Sequence, residues 1–337
     1  MKIKLFIVVL FFPLLIFGNM AQPWVEGSKH STLYGAKNCQ VINENIFIKL
    51  TKSEDDIYFA NYKIKYTIYS EVNQTNPLLF IGIGLSNKKT VRVNNNESKI
   101  NGYGKSDALN IYYSKNDSLS VNKDDLIYFE AKLNKGKNTV YVEYDADLEY
   151  NTRGFIRTYR LEYSLYPSKF WKSFGIINIE MLLGDNLEVA SSNIGQPEIK
   201  NDTAHWVIKN IKKDTIELEI TKKTTILSDL LLILQPFGIS ILFLVVMFVY
   251  HRKLLIEKHK QKNLKYKSIL SLGVLIIPIL YYVIYFISYS LIDFTLGQAN
   301  SKHGYVFLFV FTLPILMLVY GILMWIIDRK LKSKYSK

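Results

Sequence analysis

Three long apolar segments in the C-terminal part of the chain constrain its fold more than any other feature. They cover residues 230–250, 268–292 and 305–327, and none contains a charged side chain. A helix needs about 20 apolar residues to cross a bilayer, and a buried helix of a soluble protein seldom runs so long without a polar face. The sequence therefore predicts three transmembrane helices within residues 227–328, with the lipid bilayer as a partner.

A shorter apolar run, residues 5–17, follows Lys2 and Lys4 at the N-terminus. A basic start followed by a short apolar stretch is typical of a secretory signal, and this stretch is too short to span a bilayer comfortably. We predict a signal peptide over residues 1–21, with an uncleaved anchor as the alternative.

The distribution of positive charge indicates the orientation in the membrane. Residues 251–267 carry seven Lys and Arg, the tail 329–337 carries five, and the intervening loop 293–304 carries only Lys302. Because cytoplasmic loops collect Lys and Arg, both basic segments are predicted to be cytoplasmic. Residues 22–226 are then outside the cytoplasmic (inner) membrane, in the periplasm, as the signal peptide independently requires. An anionic-lipid or regulatory site is the alternative role for the basic loop.

Residues 22–226 repeat short runs of alternating apolar residues, separated by clusters of Asn, Asp, Gly and Lys. One such run places five side chains on a single face of a strand: Ala60, Tyr62, Ile64, Tyr66 and Ile68. About ten of these runs, with no convincing amphipathic helix between them, predict a mainly β, antiparallel sandwich. It is either one large sandwich or two small ones with a break near residues 133–137.

Composition excludes several classes of function. Residues 22–226 contain 27 Lys and Arg against 25 Asp and Glu, so this region lacks the basic surface of a nucleic-acid-binding domain. Cys39 is the only cysteine, which excludes a disulfide scaffold and a Cys-cluster metal site. Nucleotide-binding and G-x-S-x-G motifs are absent from the sequence. We therefore predict no cofactor and no metal site, and we favour a protein that is not an enzyme while leaving an enzymatic activity open as an alternative.

Two segments of the exported region carry candidate binding residues. The first contains Arg153, Arg157, Tyr159 and Arg160; arginine and aromatic side chains are common anchors of binding surfaces, although a charged sheet edge would have the same pattern. The second contains Phe170 and Trp171. These side chains either cap the core or enter the lipid interface.

The second apolar segment contains a stripe of tyrosines. Tyr281, Tyr285 and Tyr289 recur every four residues and so share one face of a helix. A phenol in hydrocarbon needs a hydrogen-bond partner. Gln235 and Thr312 lie at about the same depth as Tyr285, so both are predicted to bond near Tyr285 inside a three-helix bundle.

Part of the exported region resembles a known type of protein. The run 137–144, the aromatic strand ending at Tyr166, Trp171 and the strand 176–183 resemble an uncharacterised family of exported bacterial β-sandwich proteins with a membrane anchor. The resemblance implies an exported sandwich, and it implies no activity and no site residues.

These features predict a membrane-anchored periplasmic protein that binds or scaffolds other membrane or envelope proteins of a bacterium, without binding nucleic acid. A first alternative is an extracytoplasmic sensor, which would need a separate cytoplasmic partner because the segments 251–267 and 329–337 are too short to form a signalling domain. An envelope hydrolase is the second alternative.

Overall fold

The computed structural model describes residues 24–103, 108–184, 186–298 and 308–335. The predicted signal peptide, residues 1–21, lies outside these ranges. The described residues form eighteen β-strands followed by three α-helices. In chain order the strands are β1 (Trp24–Val25), β2 (His30–Ser31), β3 (Cys39–Lys52), β4 (Tyr58–Ser70), β5 (Gln74–Ile81), β6 (Leu85–Val93), β7 (Asn96–Glu97), β8 (Ala108–Tyr112), β9 (Ser118–Asn122), β10 (Leu126–Leu133), β11 (Gly136–Asp147), β12 (Glu149–Asn151), β13 (Tyr159–Ser164), β14 (Ser173–Leu182), β15 (Leu187–Ser192), β16 (Glu198–Lys200), β17 (Thr203–Ile208) and β18 (Thr215–Lys222). The helices are α1 (Ile226–Lys260), α2 (Tyr266–Leu296) and α3 (Leu308–Tyr335).

The strands form two packed layers. The larger sheet has the order β16-β17-β14-β3-β4-β11-β6-β7, and its neighbouring strands are antiparallel except for the parallel pair β14 and β3. The second layer contains β1-β12-β13-β18-β15, with β2 paired to β13. A bridge between His30 and Gly82 connects β2 to the antiparallel pair β5 and β10. The predicted, mainly antiparallel sandwich is confirmed.

Alternating side chains of both layers build the core. The predicted stripe on β4 is fully buried, with 0% exposure for all five of its members: Ala60, Tyr62, Ile64, Tyr66 and Ile68. Phe80 and Phe129 reach the same core from β5 and β10. Burying one large apolar side chain is worth about 1.5–3 kcal/mol, so the interior between the layers stabilises the fold.

The turn between β10 and β11 falls where a break was predicted. These two strands belong to different layers, so the chain crosses from one layer to the other at residues 134–135. Leu133 and Val140, on either side of the turn, are buried in the same hydrophobic core. The β8–β9 hairpin contributes Val121 to a smaller core that also holds Leu79 and Leu126.

The three helices are long and apolar enough to cross a membrane. Helix α1 is interrupted at Gln235, whose φ of 53° is non-helical. The following Pro236 explains the interruption, because proline disfavours a helical conformation in the preceding residue and supplies no backbone N–H. Helix α1 also continues to Lys260, so much of the predicted basic loop is helical.

We call the ends of the helices next to β18 the sandwich end, and the ends formed by residues 251–267 and 328–335 the basic end. A buried cluster towards the basic end contains Leu255 of α1, Ile277 of α2, and Tyr320 and Met324 of α3. All three helices therefore pack against one another in that half of the bundle.

Candidate functional site

The sandwich rests directly on the sandwich end of helix α2. The side chain of Gln298 donates to the carbonyl of Phe155 (2.8 Å), and Nζ of Lys222 donates to the carbonyl of Gly297 (3.2 Å). The ring of Phe155 lies 5.6 Å from the ring of Tyr289. Strand β18 leads into α1 through three residues. We call these contacts the junction; together with the short connection they leave no flexible stalk between sandwich and helices.

The predicted arginine segment borders this junction. Nη1 of Arg157 donates to the carbonyl of Asp56 (2.7 Å) and to the hydroxyl of Tyr159 (3.4 Å). The guanidinium carbon of Arg157 also lies 5.2 Å from the ring centre of Tyr150. These contacts fix Arg157 within the sandwich, two residues from Phe155, which makes Arg157 a positioning residue of the junction.

The other members of the segment do not form one surface with Arg157. Tyr159 is buried, with 3% exposure, whereas Arg153 is exposed. Arg160 makes ion pairs with Glu162 (2.7 Å) and Glu217 (3.5 Å). Ion pairs of this partly exposed kind contribute about 0–1 kcal/mol. The segment therefore divides between the junction and the surface of the second layer.

Phe170 and Trp171 lie at the opposite end of the sandwich. Strand β13 starts beside the junction at Tyr159 and alone extends roughly 20 Å towards the opposite end. The indole of Trp171 is 4% exposed, and its Nε1 donates to the carbonyl of Leu33 (2.7 Å). Trp171 therefore caps the core. The alternative, insertion into the lipid interface, does not fit this position because the loop is remote from the helices.

Aromatic side chains, some exposed and some half-buried, lie around Phe170 at this far end. The ring of Phe170 lies 5.6 Å from Tyr34 and 5.8 Å from Tyr166. The hydroxyl of Tyr34 donates to the carbonyl of Tyr112. Tyr112 and Phe170 are 60% and 39% exposed. We call Tyr34, Tyr112, Tyr166 and Phe170 the distal aromatic patch. Tyrosine and phenylalanine are enriched at protein interfaces, which makes this patch the candidate binding surface.

The intramembrane candidates lie on the helices in two groups. Tyr281 is 8% exposed and faces the bundle. Its neighbour Tyr282 donates to Oγ1 of Thr312 (2.6 Å), a hydrogen bond that joins α2 to α3. The sequence analysis missed Tyr282 because it is not a member of the tyrosine stripe.

Tyr285 and Gln235 depart from the predicted arrangement. The hydroxyl of Tyr285 is hydrogen-bonded to Tyr289 within α2 (2.9 Å), and Gln235 is exposed. The physical reason is the interruption of α1 at Pro236, which changes the direction of the Gln235 side chain relative to a regular helix. Thr312 bonds to Tyr282, so Gln235 and Thr312 do not converge on Tyr285 as predicted.

A buried carboxyl group lies inside the sandwich. Glu44 is 0% exposed; it accepts hydrogen bonds from the hydroxyls of Tyr163 (2.6 Å) and Thr32 (3.0 Å). The Tyr163 hydroxyl lies 3.1 Å from that of Tyr66. Desolvation raises the pKa of Glu44 to about 7, because burial disfavours the charged form more than the hydrogen bonds from Tyr163, Tyr66 and Thr32 favour it.

The burial of Glu44 is already evident in the alternation of β3. Glu44 has the same parity as Ile46, Ile48 and Leu50 along β3, all of which are buried. Because side chains alternate between the faces of a strand, this parity places the carboxyl group inside.

His30 is the second buried titratable group of the sandwich. Its ring is 1% exposed and lies 4.5 Å from the ring of Tyr62 and 5.4 Å from that of Tyr144. Burial lowers the pKa of His30 to about 3. Nδ1 of His30 and the hydroxyls of Tyr62 and Tyr144 have no hydrogen-bond partner among the described residues. The core therefore contains neutral polar groups whose cost must be offset by the surrounding apolar burial.

Two histidines join the helices at the basic end. The ring of His251 in α1 contacts the Tyr320 hydroxyl of α3 (2.9 Å) and the Ile269 carbonyl of α2 (3.1 Å). Since a carbonyl only accepts, Nε2 of His251 carries the proton and Nδ1 accepts from Tyr320. The ring lies against Gly273, where any Cβ would meet it at 2.2 Å. The close approach therefore requires glycine.

The second histidine contact is a hydrogen bond to a buried carboxyl group. Nε2 of His259 lies 2.9 Å from Asp328, and Nζ of Lys332 lies 2.7 Å from the same carboxylate. The ring of His259 also packs on Tyr266 at 4.3 Å. Residues from α1, α2 and α3 thus meet around Asp328. The sequence analysis assigned this end only a basic charge, although Asp328 directly follows the third apolar segment.

No group of three or more His, Cys, Asp or Glu side chains suited to hold a metal ion occurs within the described ranges.

No family model matches the chain, and no curated protein matches it. Among solved structures, a proposed nutrient-binding protein of Legionella pneumophila is similar over 60% of this chain and 73% of its own, with 13% identity and a TM-score of 0.48. An M1 zinc metallopeptidase of Deinococcus radiodurans is similar over 56% of this chain and 43% of its own, with 6% identity and a TM-score of 0.28. Leukotriene A4 hydrolase of Saccharomyces cerevisiae is similar over 55% of this chain and 29% of its own, with 8% identity and a TM-score of 0.29. The chain thus spans less than half the length of either enzyme. Likeness of this degree assigns no activity and no ligand to the chain.

Proposed function

We propose that the chain is a membrane-anchored, periplasmic binding or scaffolding protein of a bacterial envelope complex. The observation that carries this proposal is the junction between Phe155, Lys222 and the end of α2. With its base held on the helices, the sandwich presents the distal aromatic patch away from the bilayer, more than about 20 Å from the junction. A surface held at a constant height suits a platform for another envelope protein.

The chemistry of the patch favours a protein partner. Tyr112 and Phe170 present large exposed rings, and the contacts of Phe170 with Tyr34 and Tyr166 restrain its ring before binding. Restrained aromatic anchors lose little conformational freedom on association. We therefore expect the partner to bury this patch.

Photo-crosslinking in intact cells tests the proposal. A photoreactive amino acid at Tyr112 should form a discrete adduct with an envelope protein, and a second change, Phe170→Asp, should abolish that adduct by placing a charge in the buried contact. The matched control is the same photoreactive residue at Glu97, which is exposed on β7. An equal adduct from Glu97, or an adduct from Tyr112 that survives Phe170→Asp, would show that the patch is not the interface.

The orientation is tested by thiol labelling after replacement of Cys39 by Ser. Positive charge keeps the basic end in the cytoplasm. A cysteine at Lys258 should therefore resist an impermeant thiol reagent in spheroplasts, and a cysteine at Asn300, which lies outside the described residues, should react. Labelling at position 258 without labelling at position 300 would show that the orientation is the reverse of the one proposed.

One observation favours a sensor as a second candidate. The junction couples the loop of Arg157 to α2, while His251 and Asp328 couple the three helices at the basic end. Packed groups of this kind can carry energetic coupling between distant sites. A photoreactive residue at Lys253 that captures a cytoplasmic protein would favour the sensor over the scaffold.

The hydrolase alternative receives no comparable support. Oγ of Ser28 lies 3.1 Å from Nε2 of His30, a spacing found in nucleophile–base pairs. However, burial holds the pKa of His30 near 3, which makes it a weak base at neutral pH. The Ser28 hydroxyl also lies within donating distance of the Asp147 carbonyl (3.1 Å).

A further inference from the structure

An open groove of about 600 Å³ lies between α2 and α3 at the basic end. Its floor is apolar, with Leu270, Val274 and Leu275 from α2 and Met317 from α3. Helix α1 does not contribute to its lining. The groove is therefore open to the side of the bundle, where the surrounding membrane would meet it.

Small residues line the groove on both helices. Gly321 of α3 lets α2 approach closely, because a Cβ at this position would lie 3.2 Å from Cγ1 of Val274. Ser271 lines the groove from α2, and a larger side chain at this position would fill part of it.

The length of the groove fits one leaflet of a bilayer. Lys267 and Leu275 line it on the same helix, and eight residues of helix extend about 12 Å. Half of a hydrocarbon core measures about 15 Å. The groove therefore runs from the membrane surface towards the midplane, the space occupied by a lipid acyl chain.

Cationic groups surround only the basic end of the groove. Lys267 and Lys332 are its two charged lining residues, and Lys267 makes no ion pair among the described residues. The N-terminus of α2 begins beside them at Tyr266 and adds the positive end of the helix dipole. The nearby carboxylate of Asp328 is already engaged by His259 and Lys332. A free positive charge thus remains at the groove mouth.

We propose that this groove binds a phospholipid of the adjacent leaflet, with its acyl chain along Val274 and Gly321 and its anionic headgroup between Lys267 and Lys332. The inference requires that the helices are inserted in a membrane, and it is independent of the partner and the orientation proposed above.

Native mass spectrometry of the full chain from detergent tests the proposal, with phosphatidylglycerol and phosphatidylcholine of identical acyl chains as probes. Phosphatidylglycerol should be retained as a single adduct, and phosphatidylcholine should be retained less. One basic side chain near a membrane surface is worth about 1 kcal/mol, so Lys267→Gln, which leaves the Asp328 ion pair intact, should weaken retention about fivefold. The double variant Lys267→Gln/Lys332→Gln should weaken it roughly 25-fold.

The matched control removes two charges elsewhere in the basic segment. Lys253→Gln/Lys260→Gln on α1 should leave retention unchanged, because neither residue lines the groove. Ser271→Phe, which fills the groove without changing charge, should abolish retention of the lipid. Equal loss in the α1 control, equal retention of both lipids, or retention in Ser271→Phe would each overturn the proposal. A dimer mass that replaces the lipid adduct would show that a second copy occupies the groove.

Discussion

Replacing Glu44 by Gln should stabilise the sandwich by about 3 kcal/mol above pH 7. The pKa of the Glu44 carboxyl is about 7 in the folded chain and has an ordinary value of 4.5. Between these values the folded state binds more protons than the unfolded state, so the Glu44 contribution falls as the pH rises through this window. Gln resembles the protonated carboxyl and carries no ionisation penalty.

The measurement is the free energy of unfolding of the full chain in detergent, followed by far-ultraviolet circular dichroism at pH 4.5 and above pH 7. The difference between Glu44→Gln and the wild type should be small at pH 4.5 and large above pH 7. Glu130→Gln is the control, since Glu130 is exposed on β10 and its replacement should produce no such difference. A constant difference at both pH values would contradict a buried neutral acid.

In the wild type, the contribution of His30 to the pH dependence of stability should oppose the contribution of Glu44. The pKa of His30 is lowered from 6.5 to about 3, so the unfolded state binds more protons in this interval, and stability is lost as the pH falls below 6.5. Between pH 4.5 and pH 6.5 the contributions of Glu44 and His30 have opposite slopes and nearly cancel. In Glu44→Gln only the His30 contribution remains, so stability should rise with pH across that interval.

Replacing Trp171 by Ala should destabilise the sandwich by about 3–5 kcal/mol. The indole is almost fully buried and fills a space bounded by Gly35, where a Cβ would meet the ring at 2.3 Å. Its removal creates a cavity and also leaves the carbonyl of Leu33 without the donor Nε1. Denaturant unfolding of the full chain in detergent, followed by circular dichroism, measures the loss.

The neighbouring Phe170 supplies the control. It is 39% exposed in the distal aromatic patch, and Phe170→Ala should destabilise the sandwich less than Trp171→Ala, because its ring is only partly buried and loses no hydrogen bond. Equal effects of the two substitutions would mean that Trp171 does not cap the core. Loss of partner crosslinking in Phe170→Ala without loss of stability would support the patch as the binding surface.

Periodic patterns in the sequence predicted the architecture because burial is encoded locally. The alternation from Ala60 to Ile68 determines which face of β4 is buried, and the charge-free segments determine the three helices. The same logic places Glu44 inside the sandwich. A glutamate is nonetheless assigned to the surface by residue type alone, since an isolated buried charge is costly. Only the positions of Thr32 and Tyr163 explain how the carboxyl group is accommodated.

Contacts between segments that are distant in the chain could be identified only from the tertiary structure. Helical periodicity selected Tyr281 and Tyr285, but the hydrogen bond to Thr312 comes from Tyr282, because the crossing of α2 and α3 decides which face of each helix meets the other. The candidate binding residues lie at opposite ends of the sandwich for a similar reason. Arg157 and Phe170 are close in sequence, and β13 separates them by its full length.

The sequence by itself determined which strands alternate between apolar and polar residues, which segments are apolar enough to cross a bilayer, and where positive charge accumulates. These properties depend on neighbours within a few residues, so a linear pattern contains them. The tertiary structure alone decided that the sandwich rests on α2 through Phe155 and Gln298, that three tyrosines and Phe170 form the distal aromatic patch, and that a groove between α2 and α3 lies beside Lys267. Each of these features joins segments far apart in the chain, and their meeting depends on strand order and helix crossing, which no local pattern specifies.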